Sequence, residues 1–131
     1  MIMPAMVLDT DILSAVTAKA KLYLAQHGRF TFSIITRYEI LRGLNAKRAI
    51  KQLDSFNRLC ERSFILSISD EVIVTASEIY ADLHHRGELV GDADILIAAT
   101  AMVNGLQVVT NNEGHFRRIN GLNLENWLRP E

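Results

Sequence analysis

Residues 92–104, DADILIAATAMVN, are apolar on nearly every side when placed at helical spacing, from Ile95 and Leu96 through Ala98 and Ala99 to Met102 and Val103. A helix without a polar face has to be covered all round. The segment therefore predicts a central, buried helix over 92–104. Short apolar runs at 5–8, 30–35, 64–68 and 106–110 read as strands, with 122–124 as a short fifth. Helical spacing fills the intervals at 12–26, 37–44, 46–62 and 69–86. Such alternation predicts an α/β fold: a central parallel sheet of four to five short strands with helices on both faces. Locally, His27-Gly28 closes the first helix. Thr36 serves as the next N-cap with Glu39 in capping-box register, and Ser69 caps the 69–86 helix. Ile50, Leu53, Phe56 and Cys60 form one apolar stripe.

At 131 residues, 49% hydrophobic and 22% charged, the chain fits a single globular domain over 1–131 that needs no staples. The one cysteine, Cys60, rules out an intrachain disulfide framework and fits a reducing cytoplasm, as a buried thiol. No apolar run reaches the roughly 18 residues a membrane span requires. The opening MIMPAMVL lacks the basic start of a signal peptide and runs into the first strand. A net charge of −1 gives no global pull toward nucleic acid. Between Arg37 and Arg62, however, seven basic residues face three acids, a local excess of +4. This stretch is either a solvated helical surface or a phosphate-facing patch.

The first strand runs into Asp9-Thr10-Asp11. Parallel α/β topology brings strand ends and the following helix starts to one edge of the sheet, where such folds place ligands. Asp9 ends the first strand, Glu39 opens the helix after the second, and Asp94 opens the buried helix. These acids can converge although 85 residues (94 − 9) separate the first from the last. Each also has an ordinary reading, since Glu39 suits a capping box and Asp92 and Asp94 suit a helix start. Two carboxylates about 4 Å apart repel by roughly 4 kcal/mol at an effective dielectric of 20, so a cluster of three calls for a cation. Hard oxygen donors without a His/Cys set favour Mg²⁺ or Mn²⁺ over zinc. The Asp9-Thr10-Asp11 pair also fits a haloacid-dehalogenase-like phosphatase. That chemistry needs a later lysine, and the last one here is Lys51.

VLDTDILS, ITRYEILRG, GDADILIAATA and VVTNNEGHFRRINGLNLENW resemble, in order and spacing, the motifs of PIN-domain ribonucleases. The likeness is strongest to the VapC-type toxins of toxin–antitoxin pairs and runs from about Met6 to Trp127. It implies a Mg²⁺-dependent endoribonuclease, with Mn²⁺ as a possible substitute, that cuts structured or single-stranded RNA to 5′-phosphate and 3′-hydroxyl ends. Under it, Asp9, Glu39 and Asp94 hold the metal, Thr110 is the hydroxyl residue closing the fourth strand, and Thr110 and Asn112 position water or phosphate oxygens. Asp92 is left as a helix cap. A homodimer and a cognate antitoxin covering the site are implied as well.

Two positions depart from the family pattern. Asp11 stands where asparagine is usual, and Asn112 occupies the fourth acidic position, with Glu113 as a substitute if the loop turns inward; the resemblance leaves the number of metals, one or two, open. Arg37, Arg42, Lys47 and Arg48 are the candidate contacts to the RNA backbone. His27, His84 and His85 read as helix-end surface residues, while His115 lies near the site. The non-enzymatic alternative is an inactive PIN module that binds RNA without cutting it.

Overall fold

The computed structural model describes residues 6–9 and 18–126. The expectations for Ala5, for Asp11, for the helix before Ala18 and for Trp127 lie outside those residues. Five strands form one sheet in the order β3-β2-β1-β4-β5: β1 (Met6–Leu8), β2 (Thr31–Ser33), β3 (Phe64–Leu66), β4 (Gln107–Val109) and β5 (Leu124–Glu125). Every pairing is parallel. Six helices lie between and beside them: α1 (Ala18–His27), α2 (Ile34–Ala46), α3 (Ile50–Glu61), α4 (Asp70–His85), α5 (Asp92–Val103) and the single turn α6 (Glu113–Phe116), counted among the described residues.

The strands build outward from β1 in one direction as far as β3, and the chain then returns to lay β4 on the other side of β1. The strand order thus reverses between β1 and β4. Neighbouring residues of a strand point to opposite faces, and the core is divided accordingly. Val7 and its register partner Val108 join a cluster with Val72, Leu83, Ile95 and Ile97 of α4 and α5. Val109 and Phe32 join the other cluster, with Tyr23 of α1 and Phe56 of α3. Helices therefore cover both faces. Within α5, Ile95 and Ile97 through Ala101 are buried; four of these are alanine or threonine, small enough for α4 and the sheet to approach closely.

Several boundaries differ from the sequence expectation. The strand expected over 30–35 stops at Ser33, and the β-branched Ile34 and Ile35 already belong to α2. Ser33 caps that helix, its hydroxyl accepting the Ile35 N–H at 3.0 Å. Thr36 is consequently not an N-cap but a fully buried first-turn residue, and the capping box with Glu39 does not form. The helix expected over 46–62 begins only at Ile50, because Lys47 and Arg48 form a turn. Ile50 is 77% exposed, so the apolar stripe starts at Leu53. Ser69 caps α4 as expected, accepting from the Val72 N–H at 3.2 Å. Asp92 is not the cap of α5: Gly91 holds that position, with no side-chain hydrogen bond.

Candidate active site

Asp9 lies one residue past β1 and keeps the sheet register through its N–H, which donates to the Val109 carbonyl at 2.9 Å. Thr110 stands in the matching position past β4, its own N–H donating to the Glu125 carbonyl at 2.9 Å. Leu8 pairs with Val109, so the two following side chains meet at the carboxyl edge of the sheet. The Thr110 hydroxyl donates to Asp9 Oδ2 at 2.9 Å and accepts the Asn112 N–H at 2.8 Å. Both residues are buried, Asp9 to 5% exposure. This edge, at the point where strand order reverses, is where open α/β sheets hold ligands.

From Asn112 the chain enters α6, which sets His115 beside the start of α5. His115 Nδ1 lies 2.8 Å from Asn112 Nδ2 and 3.0 Å from Asp94 Oδ2. Asp94 stands in the first turn of α5, at the end of the helix where backbone N–H groups point outward. A continuous path of contacts thus links two carboxylates distant in sequence: Asp9, Thr110, Asn112, His115, Asp94. Glu39 sits on α2, which packs against α5, and its carboxylate stands 3.6 Å from Arg42 Nη2. Glu113 has both oxygens engaged, Oε1 by Arg117 at 3.1 Å and Oε2 by Asn126 at 3.0 Å. Asn126, itself buried, also donates to Asn111 Oδ1 at 3.2 Å and so ties the end of β5 to the loop after β4.

Among the described residues, no three His, Cys, Asp or Glu side chains are gathered tightly enough to enclose an ion. Mg²⁺ does not require that, since it retains several waters and is commonly held by one or two carboxylates. The carboxylate oxygens of this edge are hard donors, and the buried Asp9 is anchored on one oxygen by a neutral hydroxyl. They fit such an ion. A zinc site would call for a closer His/Cys set.

The four candidate RNA contacts divide. Lys47 and Arg48 form an exposed turn after α2. Arg42 is exposed but engaged, near Glu39 and with its guanidinium 5.3 Å from the centre of the Tyr38 ring. Arg37 is half-buried and lines a hollow with Asn57, Cys60, Glu61 and Ile65. Burial pushes the Cys60 thiol up in pKa, and the Arg37 guanidinium opposes that shift. Sequence reasoning left the His115 contact with Asp94 unassigned, although the Asn112-x-x-His115 spacing on one helical turn was there to be read. The Asn126 tie had no local signal, because it depends on where β5 docks.

Fold and edge together define a parallel α/β protein with carboxylates at the point where its strand order reverses. Residues 6–122 match the family described as PIN domain. Ribonuclease VapC1 of Methanocaldococcus jannaschii is 35% identical over 117 residues, covering 89% of this chain and 82% of that protein. The tRNA(fMet)-specific endonuclease VapC of Salmonella typhimurium is 33% identical over 103 residues, 76% of each chain. Among solved structures, VapBC2 from Rickettsia felis bound to a promoter DNA fragment superposes with a TM-score of 0.81 at 28% identity, over 93% of this chain and 98% of that one. The chain belongs to the PIN domain family and, within it, to the VapC-type ribonucleases. Ribonucleases of this family are generally metal-dependent. No helix among the described residues is long and apolar enough to cross a membrane.

Proposed function

We infer that the carboxyl edge of the sheet hydrolyses phosphodiester bonds in RNA with a bound Mg²⁺, or Mn²⁺ in its place. The chain is an endoribonuclease, the toxin half of a toxin–antitoxin pair. The observation that carries the reading of its site is the path of contacts from the buried Asp9 through Thr110, Asn112 and His115 to Asp94. Asp9 and Asp94 would hold the ion directly, and Glu39 would ligate it or orient the attacking water. Bound there, the ion would polarise the scissile phosphate and offset its developing charge. Thr110 fixes the Asp9 carboxylate, and the Asn112 amide is set to position water or a phosphate oxygen. Lys47 and Arg48, with Arg37 and Arg42, would hold the RNA backbone that the carboxylates alone repel.

Cleavage is taken to leave 5′-phosphate and 3′-hydroxyl ends. We further read the chain as one cytoplasmic domain that forms a homodimer and is silenced by a cognate antitoxin. The exposed Ile73, Val74 and Tyr80 along α4 offer an apolar surface for assembly. The test is cleavage of a structured RNA and of tRNA(fMet), the substrate class in the Salmonella relative's name, with Mg²⁺ and with EDTA, followed by sequencing of the ends. Cleavage that needs Mg²⁺ and fails in Asp9→Asn supports the reading. Cleavage that persists in EDTA would overturn it, and RNA binding without cleavage would leave an inactive RNA-binding module.

A further inference from the structure

We propose that His115 is a positioning residue for Asp94: its Nδ1–H holds one carboxylate oxygen and thereby decides which oxygen faces the ion. The inference rests on the reading that Asp94 is a metal ligand. His115 and Asp94 are 21 residues apart and meet only because α6 folds back over the start of α5. Phe116, fully buried, anchors that turn in the core and leaves the neighbouring imidazole at the rim. Among the described residues, His115 is the only hydrogen-bond or ion-pair partner of the Asp94 side chain. Without it the carboxylate would be poorly fixed, because the terminal torsion of aspartate is broad.

The protons can be assigned from the contacts. Nδ1 cannot accept a hydrogen from Asn112 and donate one to Asp94 at the same time. An ionised carboxylate only accepts, so under this proposal Nδ1 carries the hydrogen, and the Asn112 amide, placed with its nitrogen toward the ring, has to present its oxygen instead. The path is then consistent throughout. The Thr110 hydroxyl donates to Asp9 Oδ2, and the imidazole donates to Asp94 Oδ2. Both donors sit on the segment after β4, joined by the Asn112 N–H on the Thr110 hydroxyl. Asp9 and Asp94 therefore each have one oxygen held by a donor from the same segment. Outer partners of this kind orient the ligand, and losing one commonly costs about 10- to 100-fold in metal affinity or activity.

The test compares His115→Ala, His115→Asn and His115→Gln. Asparagine places an amide nitrogen where Nδ1 stands, whereas glutamine extends it toward the position of Nε2. Mn²⁺ affinity is read by electron paramagnetic resonance without RNA, beside the Mg²⁺ midpoint for cleavage. Because the His115 side chain is 47% exposed, melting in EDTA should stay near the parent in all three. Mn²⁺ affinity should fall about tenfold in the alanine and glutamine variants and be largely restored in the asparagine variant. Unchanged affinity in His115→Ala, or an asparagine variant as weak as alanine, overturns the proposal. Asp94→Asn separates the two layers. If Asp94→Asn loses Mn²⁺ while His115→Ala keeps it, only the role of His115 fails. If Asp94→Asn binds Mn²⁺ as the parent does, the ligand assignment fails and takes the His115 role with it.

Discussion

Asp92 and Asp94 stand in the same turn of α5, yet of the two only Asp94 has a side-chain hydrogen-bond partner among the described residues. Asp92 is exposed, so its contribution is limited to the helix dipole, about 0.3–1 kcal/mol. The pair therefore makes a matched experiment. Asp94→Asn should reduce cleavage to background while its melting point in EDTA stays close to the parent, since asparagine suits a helix start. Asp92→Asn should keep both activity and the Mg²⁺ response. An RNA cleavage assay beside melts with and without Mg²⁺ checks both, and full activity in Asp94→Asn would exchange their roles. Thr110 offers a second test. Thr110→Val removes the buried hydroxyl that donates to Asp9 Oδ2 and accepts the Asn112 N–H. It should destabilise the protein by about 1–3 kcal/mol, while Thr110→Ser should recover most of that in urea unfolding.

Helix α2 ends in a Schellman turn, with the Ala49 N–H on the Leu44 carbonyl and the Arg48 N–H on the Asn45 carbonyl, both at 3.0 Å. The same pattern closes α4 and α5, where Gly87 and Gly105 occupy the left-handed position. In α2 that position is held by Arg48, at φ 55, a conformation that disfavours any side chain with a Cβ by about 1–2 kcal/mol. Arg48→Gly should therefore raise stability by up to about 1 kcal/mol. If the arginine contacts a phosphate, the same substitution should flatten the slope of log affinity against log salt by about 0.7. A salt titration of RNA binding, made on a cleavage-deficient background, reads the second effect; an unchanged slope would move the RNA path away from this turn. Local propensity does not set either end of α2. Ile34 and Ile35 favour strands by their branching and Ala46 favours helices, but a serine hydroxyl aimed at the Ile35 N–H and a left-handed arginine set the actual ends.

For the whole molecule, a bound ion stabilises the folded state by mass action. At about ten times its dissociation constant Mg²⁺ should add roughly 1.4 kcal/mol, or about 3–5 °C in Tm for a chain of this size. Calorimetry in Mg²⁺ against EDTA measures it, and Asp9→Asn should abolish the gain. Sedimentation at micromolar concentration tests the homodimer, with a monomer alone counting against it. The parallel sheet, the helices on both faces and the buried α5 were legible in the sequence because hydrophobic period is a local property, repeated over many residues. The same holds for the Ser69 cap, since a cap and its N–H partner are three residues apart. Asp9 and Asp94 were legible as candidates because strand ends and helix starts share an edge in this topology. The partners of those carboxylates were not. Whether Thr110 or another group would hold Asp9 depended on the β1–β4 register, and the meeting of His115 with Asp94 depended on how α6 packs over α5. Hydrogen bonds act over about 3 Å, so contacts between distant parts of the chain are fixed only when the core has set the relative placement of its elements.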